Sequence, residues 1–487
     1  MRYKLLIGIL VLGVSALMLM SNAMASGGPP VWRNQATLSN IDSNPSQDPE
    51  NSGYGTFQVV VWEEWNGNDW DIWAKFSIAN GAPGSWAFLP ALPNQVNVDE
   101  IHPAVAVTRF HQVGGMAIHV VYQRWSNAGG GQWDICHTYL ITPAVVWSAP
   151  VVLDAVPNQD ARDPAIVYTE DLAFPGPFVG MLTQFVWAEL NSVTLSYEIL
   201  YDAYYYDPIQ MPPTGYLSPL LAPPTPPVIR ACRWGDCEVP EIASIDDETS
   251  GGNYDHYFAV TWQEPSATGQ LNVWFVDGKT QTSGGFPPGT FTALTAGSLG
   301  QLNPVTPTDN CYDPDIATTQ DYQAMNFYFH VNWVRFDTFT GLYYIESCYL
   351  AALIQTPLLP FVLAPTAQGP TVSRLDRPTI ASKLIPDPNN IVFETWMAWE
   401  DSTIPGATNP DIWCIVATYT LSAPPVFAYT WGPGRVGYVP PQGGGSIEYN
   451  PELWNRNDIT RTMPPLTHLV FDQTIVPAVP EVVYIDP

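Results

Sequence analysis

A short pattern of apolar and polar positions recurs seven times along the chain. Each copy has three or four apolar or β-branched residues, then an aromatic residue, then a polar or acidic pair, as in VVVWEE at 59–64 and WMAWED at 396–401. The aromatic residues are separated by 60, 65, 75, 71, 66 and 72 residues, which indicates a repeat architecture. They are Trp62, Tyr122, Trp187, Trp262, Trp333, Trp399 and Phe471.

A second element precedes most copies and consists of one residue, then Pro, then an apolar tail. Examples are HPAVAV from His102 and DPAIVY from Asp163. In six copies the Pro lies 19 to 23 residues before the aromatic residue, which predicts two neighbouring strands joined by a turn. In the first copy Asp48-Pro49 lies only 13 residues before Trp62, which predicts a short or missing strand there. Two further aromatic-rich segments follow each copy, so that each unit has four predicted strands.

Four strands per unit, repeated seven times, predict an all-β fold: a seven-bladed β-propeller with four-stranded blades. The last unit, at 450–487, contains only three strand candidates, whereas the extended segment VWRNQATLS at 31–39 has no unit of its own. We therefore expect this N-terminal strand to complete the last blade and close the ring, because an open sheet edge promotes aggregation. Tandem sandwich domains are the alternative, which the continuous rhythm without linkers disfavours.

The first 25 residues have the layout of a secretory signal peptide. Two basic residues precede an apolar run at 5–20, and Ala23-Met24-Ala25 supplies the small residues of a cleavage site. We expect residues 26–487 to form a single propeller domain that is secreted to an extracellular or periplasmic compartment, with no membrane insertion after cleavage. An uncleaved membrane anchor is the alternative, although the apolar run is short for a span.

All six cysteines follow the signal segment. An even number of cysteines in an exported protein predicts disulfides rather than a metal site. Cys232 and Cys237 are expected to pair, because Gly235 between them allows a tight loop to close. The other four allow three pairings, which the spacing leaves open: Cys136, Cys311, Cys348 and Cys414.

The chain is strongly acidic, with 17 Lys and Arg against 46 Asp and Glu and a net charge of −29. Nucleic acid is excluded as a partner, because phosphate binding needs a basic surface and the sequence has no basic stripe. Insertion into, or binding to, an anionic membrane is disfavoured for the same reason. Cationic partners, divalent ions and neutral polymers such as sugars stay open, and so does the alternative that the acidity serves only solubility.

The order of the motifs within each unit resembles that of the BNR or sialidase-like repeat β-propellers. The best copies are HPAVAV…IHVVYQRW…WDICHTYL…WSAP and RPTIAS…WMAWED…DIWCIV. The resemblance implies the propeller fold and an exported protein. In sialidases it would also imply an arginine triad, a Tyr–Glu pair and an Asp acid/base, but the early Arg-Ile-Pro motif is absent and the nearest look-alikes, Arg162 and Arg377, lie in later units. We therefore assign no catalytic residue.

One face of such a propeller is the candidate ligand-binding face. The first strand of each blade begins and the second strand ends at this face, beside the central channel; we call it the mouth face. The residue before each motif Pro should ring the channel mouth, second-strand acids should lie outside that ring, and tryptophans should lie in the loops that follow. The predicted ligand-binding residues are Asp48, His102, Asp163, Asp313 and Arg377 in the ring, Glu64, Glu189, Glu264 and Glu400 outside it, and Trp65, Trp70, Trp125 and Trp133 in the loops.

These residue types have both functional and structural interpretations. Carboxylates could bind a sugar or a cation, including a structural calcium ion, and tryptophans could stack on a sugar ring. Alternatively, Asp before Pro sets a turn, strand-end acids cap hairpins and tryptophans pack between blades. No metal ligand set is assigned, and no cofactor other than calcium is expected.

The expected function is non-catalytic binding or scaffolding, with a glycan or an extracellular protein as the partner at the acidic, Trp-bearing mouth face. The alternative is a sialidase-like glycoside hydrolase or a polysaccharide lyase that uses a carboxylate pair at the channel mouth. A third reading is a structural component of the cell envelope. The sequence contains no zinc-protease, serine-hydrolase or P-loop motif.

Overall fold

The computed structural model describes most of the chain from residue 33 onwards, so the signal peptide predicted at 1–25 lies outside it. Within the described residues, no helix is long and apolar enough to cross a membrane. The described ranges are 33–39, 44–82, 84–110, 115–126, 131–142, 146–153, 159–170, 181–206, 215–216, 228–230, 232, 235–246, 253–283, 290–303, 309–321, 326–352, 362–363, 368–385, 391–402, 411–421, 426–436, 446–455, 467–475 and 481–486.

Thirty strands, numbered along the chain, form seven antiparallel sheets. Blade 1 contains β2 (Ser46–Tyr54), β3 (Phe57–Trp65), β4 (Trp70–Ser77) and β5 (Ala87–Phe88). Blade 2 contains β6 (Glu100–Phe110), β7 (Gly115–Ser126), β8 (Gln132–Ile141) and β9 (Val151–Val152). Blade 3 contains β10 (Ala161–Glu170), β11 (Met181–Asn191) and β12 (Ser196–Tyr206), with β13 (Gly215–Tyr216) and β14 (Val228–Arg230) both on the edge of β12.

The remaining blades follow the same plan. Blade 4 contains β15 (Glu238–Asp246), β16 (Asn253–Pro265), β17 (Leu271–Ser283) and β18 (Thr290–Gln301). Blade 5 contains β19 (Asp309–Asp321), β20 (Asn326–Asp337) and β21 (Leu342–Ala352), with β22 (Val362–Leu363) and β23 (Gln368–Thr371) on the edge of β21. Blade 6 contains β24 (Leu375–Ile385), β25 (Ile391–Asp401), β26 (Asp411–Leu421) and β27 (Val426–Val436). Blade 7 contains β28 (Ser446–Asn455), β29 (Thr467–Ile475), β30 (Glu481–Asp486) and β1 (Arg33–Thr37).

The seven sheets close into a ring. The first strands of consecutive blades contact one another, and β28 of blade 7 contacts β2 of blade 1. The N-terminal strand β1 pairs with the C-terminal strand β30, with Ala36 opposite Tyr484. These contacts confirm the predicted all-β, seven-bladed propeller and its closure by an N-terminal strand in the last blade.

The prediction that the first strand of blade 1 is short or missing is wrong, because this blade has a complete first strand. Strand β2 has nine residues. The distance is short because Gly55 and Thr56 form a two-residue turn to β3, and Gly55 adopts the positive φ of 61° that glycine tolerates best.

Each interface between neighbouring blades is built around one repeat aromatic residue. The described residues form seven hydrophobic clusters, and each cluster joins two consecutive blades. Every cluster contains the second-strand aromatic residue of one blade, and all seven of these side chains are fully buried. Replacing a buried Trp by Ala typically costs about 3–5 kcal/mol, so these side chains dominate the packing between blades.

The disulfide prediction is confirmed for one pair and wrong for the others. Cys232 and Cys237 are bonded, whereas the other four cysteines are buried and form no disulfide. Cys311 lies on β19 and Cys348 on β21, with β20 between them. Two strand spacings amount to roughly 9–10 Å, beyond the ~7 Å that a disulfide can bridge between Cα atoms. Cys136 and Cys414 lie in blades 2 and 6, and both pack as small apolar residues.

Ring closure by β1 is testable by truncation. We expect a chain that begins at residue 40 to unfold at a lower temperature and to aggregate more than a chain that begins at residue 26. Without β1, the edge of β30 is open. The truncation also removes Leu38, which is fully buried against Trp62 and Tyr484, and a buried Leu contributes roughly 2–5 kcal/mol. Thermal denaturation and light scattering measure both effects, and equal behaviour of the two chains would contradict the closure.

Candidate functional site

A β-bulge places the ring residues at the mouth face. The strand register shifts at the X-Pro step of the first strand in all seven blades. The residue before Pro has a positive φ, which costs a non-glycine residue roughly 1–2 kcal/mol. Because bulges redirect side chains, a strain repeated at six ring positions marks a feature of the architecture. The φ angles are 56° at Asp48, 49° at His102, 52° at Asp163, 49° at Val239, 48° at Asp313 and 48° at Arg377.

The preceding blade binds the backbone N–H of five bulge residues, which are His102, Asp163, Val239, Asp313 and Arg377. The His102 N–H donates to Oε1 of Glu63 at 2.5 Å, and the Asp163 N–H donates to Oε1 of Gln123 at 3.3 Å. Each acceptor is the residue that follows the repeat aromatic residue on the second strand. The same position in blade 4, Gln263, accepts from the Asp313 N–H at 3.0 Å.

Blades with an apolar residue at that position use a different acceptor. Ala188 in blade 3 and Val334 in blade 5 cannot accept a side-chain hydrogen bond. In these blades the ring aspartate takes over: Asp163 accepts from the bulge N–H of blade 4, and Oδ2 of Asp313 accepts from the Arg377 N–H at 3.4 Å. Two of the predicted ligand-binding aspartates therefore also hold neighbouring blades together.

The ring residues of blades 1 and 2 form a charged cluster with Glu63. His102 Nδ1 lies 2.6 Å from Oδ2 of Asp48 and 3.9 Å from Oε1 of Glu63. Burial lowers the pKa of His102, but the hydrogen bond and charge of Asp48 outweigh it and raise that pKa to about 9. Burial and the charge of Asp48 raise the pKa of Glu63 to about 7. At neutral pH His102 is therefore a cation paired with Asp48, and 48% of its side chain is exposed at the mouth.

The second-strand acids lie outside the ring and are mostly committed to packing. Glu64, Glu189 and Glu264 each accept a hydrogen bond from the indole N–H of the repeat Trp two residues earlier, at 3.0, 2.9 and 3.5 Å. All three are buried. Glu400 differs, since its Oε1 lies 3.9 Å from Nη1 of the exposed Arg377, so the structure brings these two predicted site residues together.

The predicted tryptophans form two pairs at hairpin tips on the mouth face. Trp65 and Trp70 are cross-strand neighbours with ring centroids 5.7 Å apart, and Trp125 and Trp133 repeat the arrangement at 5.2 Å. Both pairs meet edge to face and are partly exposed. Gly131 is required beside the second pair, because its φ is 92° and a Cβ there would lie 2.6 Å from the Trp125 ring.

Four channel carboxylates were missed by the sequence interpretation. They lie one residue after the motif Pro and are Glu50, Glu241, Asp315 and Glu452. Burial and one another's charges raise the pKa values of Glu50, Glu241 and Glu452 well above normal, and burial raises that of Asp315 to about 6. The Thr379 hydroxyl bonds both Glu452, at 3.3 Å, and Asp315. The sequence signal that could have predicted these channel carboxylates is the acidic residue that directly follows the X-Pro motif in four units.

Two groups in the described part of the chain bring three metal-ligand atoms within 4.8 Å of one another. One contains Cys232, Cys237 and Glu264, but its sulfurs form the disulfide. The other contains Asp48, Glu63 and His102, whose imidazole is protonated at neutral pH. The channel carboxylates offer the oxygen donors that Ca²⁺ prefers, although no three of them meet the same distance limit.

Comparison with known proteins yields structural neighbours only. No family model and no curated protein matches the chain. The parainfluenza virus 5 haemagglutinin-neuraminidase ectodomain is 9% identical, covers 94% of this chain and 83% of its own, and has a TM-score of 0.37. A subtype N11 neuraminidase-like protein of the H18N11 flat-faced bat strain is 9% identical over 79% and 93%, at 0.32. An endo-arabinase from Bacteroides thetaiotaomicron is 12% identical over 68% and 97%, at 0.27.

These neighbours include neuraminidase-like and glycoside hydrolase propellers. Likeness at this level does not indicate a shared ligand or reaction, and membership of the BNR repeat family stays a prediction.

The buried second-strand acids predict a measurable pH dependence of stability. Burial raises the pKa of Glu189 to about 7, while its indole hydrogen bond opposes the shift. Because the folded state binds this proton more tightly than the unfolded state does, stability is present at low pH and is lost as pH rises from about 4.5 to about 7. The total loss from this group is on the order of 3 kcal/mol.

Glu189→Gln keeps an acceptor for the indole and removes the titration. We expect its free energy of unfolding to fall less steeply than that of the wild type between pH 5 and 7, as measured by urea denaturation. Asp337→Asn, at a partly exposed carboxylate whose pKa is lowered by its hydrogen bonds, is the matched control and should leave the slope between pH 5 and 7 unchanged. Parallel curves for the wild type and Glu189→Gln would show that Glu189 is not protonated in the fold.

Proposed function

We propose that this protein is an exported, non-catalytic β-propeller that binds a glycan on its mouth face. The observation that carries the proposal is the presence on one face of two partly exposed tryptophan pairs and of charged ring residues that reach the solvent. Aromatic faces stack on sugar rings, and charged side chains hydrogen-bond to sugar hydroxyls. Among the ring residues, His102 and Arg377 are about half exposed, and Asp48 and Asp163 about a third.

The environment of the acids favours binding over hydrolysis. A glycosidase needs two carboxyl groups roughly 5–9.5 Å apart on either side of a bound sugar, free to exchange protons with it. Glu63, beside Asp48 and with a pKa of about 7, has the titration that such an acid requires. However, Glu63 is 1% exposed, and its two oxygens accept hydrogen bonds from the His102 N–H and from Gln47. It is therefore positioned to hold the bulge rather than to reach a substrate.

The alternative function, a glycoside hydrolase or polysaccharide lyase, depends on this same pair. It would require Glu63 to become accessible when a sugar binds, with Asp48 as the second carboxylate.

Glycan binding is testable on an array of neutral and acidic oligosaccharides. We expect at least one class to bind, and we expect Trp65→Ala combined with Trp125→Ala to weaken binding by roughly tenfold or more, since ~1.4 kcal/mol of lost stacking is tenfold in affinity. Ile78→Ala, on the opposite face, is the control. Array-wide absence of binding, or equal binding by the tryptophan variant, would contradict the proposal. Release of reducing sugar or unsaturated product that Glu63→Gln abolishes would favour the enzyme.

A structural calcium ion is a further part of the proposal, with the channel carboxylates as its ligands. It is supported by the mutual repulsion of Glu50, Glu241 and Glu452, which a divalent cation would relieve. We expect 1 mM Ca²⁺ to raise the unfolding temperature at pH 8 relative to EDTA. Glu50→Gln with Glu241→Gln should raise it without calcium and remove the calcium response. An unchanged wild-type unfolding temperature would rule out the ion without affecting the glycan proposal.

A further inference from the structure

Blades 1 and 2 bring one imidazole and two carboxylates together at the channel mouth. Asp48 on β2 and Glu63 on β3 belong to blade 1, whereas His102 on β6 belongs to blade 2. Nδ1 of His102 lies 2.6 Å from Oδ2 of Asp48 and 3.9 Å from Oε1 of Glu63. One ligand atom from each of the three residues lies within 4.8 Å of the other two. We call these three residues the mouth cluster.

The mouth cluster contains more negative charge than the blade architecture requires. The residue after the repeat aromatic residue has only to accept the next bulge N–H, and Gln123 and Gln263 do so without a charge. Glu63 does so with a carboxylate that is 1% exposed and lies close to a second carboxylate, that of Asp48. Burying one carboxylate beside another is costly unless a cation lies between them, so this pair favours a positively charged ligand.

The same combination of residues does not recur around the ring. Each joint between blades can be written from the sequence as two successive ring residues and the residue that follows the repeat aromatic residue between them. Of the seven sets in the sequence, only that of blades 1 and 2 contains an imidazole and two carboxylates. Because the other copies of the repeat fold without this set, the fold alone does not explain it, and a function at this joint does.

Backbone geometry and hydrogen bonds hold the three side chains in position. Asp48 and His102 are bulge residues with positive φ angles of 56° and 49°. Oε1 of Glu63 accepts the His102 N–H at 2.5 Å, and Oε2 accepts from Nε2 of Gln47 at 3.0 Å. Each carboxylate oxygen has a second lone pair, so both hydrogen bonds can remain when Glu63 also binds an ion. Such outer contacts orient metal ligands before the ion arrives, which favours tight binding.

We propose that the mouth cluster binds a divalent transition-metal ion such as Zn²⁺, with Nδ1 of His102 and one oxygen each of Asp48 and Glu63 as its ligands. A tetrahedral zinc ion holds its ligand atoms roughly 3.3 Å apart, so small side-chain movements would complete the site. An imidazole ligand favours zinc over calcium, which takes oxygen ligands. The two carboxylates balance the charge of the ion, which replaces the proton that His102 carries at neutral pH.

The bound ion would be reached from the solvent. The side chains of His102 and Asp48 are 48% and 30% exposed. Three protein ligands leave a fourth position of a tetrahedral ion to water or to an oxygen of a ligand. Because the ligands come from two blades, the ion would also brace the joint between blades 1 and 2 and stabilise the fold. The site is independent of the glycan and calcium proposals, since it uses neither the tryptophan pairs nor the channel carboxylates.

Metal titration of the mature chain, purified without a polyhistidine tag and stripped with EDTA, tests the site. At pH 8 we expect calorimetry to show one Zn²⁺ bound per chain with a dissociation constant of ~10 µM or lower. Zn²⁺ should raise the unfolding temperature, and excess Ca²⁺ should not displace it. Co²⁺ should give the intense visible absorption of a tetrahedral ion with nitrogen and oxygen ligands. Absence of Zn²⁺ binding, or a Co²⁺ spectrum equal to that of the ion in water, would overturn the proposal.

Two variants that the repeat itself shows to be tolerated locate the ion. His102→Val copies Val239, which occupies the same bulge position in blade 4, and Glu63→Gln copies Gln123 and Gln263, which keep the bulge acceptor. Each should bind Zn²⁺ at least tenfold more weakly and keep the wild-type circular dichroism spectrum.

Asp337→Asn, which removes a carboxylate from a hairpin turn of blade 5, is the control and should bind Zn²⁺ within twofold of the wild type. Wild-type affinity in His102→Val or Glu63→Gln would contradict the assignment. A loss of binding in Glu50→Gln with Glu241→Gln, together with retention in His102→Val, would place the ion on the channel carboxylates and would also overturn it.

Discussion

The structure depends on one repeated contact, the burial of a second-strand aromatic ring between two neighbouring blades. Five of the seven rings are tryptophans, and three of these donate their indole N–H to a glutamate two residues later on the same strand. A buried indole needs an acceptor for its N–H, and a buried carboxylate needs hydrogen-bond donors. The hydrogen bond between them therefore satisfies both groups. Because every blade has such a contact on the same side, no blade can be packed without its neighbour, and the ring is the smallest unit in which all seven are satisfied.

This contact explains why the acidic residues near the mouth are poor guides to chemistry. Glu64, Glu189 and Glu264 follow the aromatic residue because the indole requires an acceptor, and Glu63 follows it because the next bulge does. Because these carboxylates accept hydrogen bonds that hold the blades together, few acids of the mouth face can contact a ligand. The exposed residues of the mouth face are therefore better evidence of function than its carboxylates.

The sequence predicted the architecture well because the information is periodic. The spacing of the aromatic residues was sufficient to predict the number of blades. The extended segment at 31–39, which had no unit of its own, was sufficient to predict how the ring closes, and Gly235 was sufficient to predict the Cys232–Cys237 bond. The sequence did not predict the contacts that form between residues of two different blades. The channel carboxylates meet only because their strands are arranged around one axis, and the acceptors of the bulge N–H groups come from residues about 40 or more positions away. The disulfides expected among the other four cysteines do not form, because a count of cysteines carries no information about the strand that separates Cys311 from Cys348.

The two ways of binding a bulge N–H have a consequence for how the chain can vary. Blades 2 and 4 have a glutamine after the aromatic residue and a non-acidic ring residue, whereas blades 3 and 5 have an apolar residue there and an aspartate in the ring. Either the residue after the aromatic residue or the ring aspartate is sufficient to accept the hydrogen bond of the next bulge N–H. A blade that loses one of these acceptors can therefore keep the contact by gaining the other. We therefore expect the effects of substitutions at positions such as 102 and 123, or 163 and 188, to be coupled, and a chain with neither acceptor would leave that bulge N–H to be bound by water.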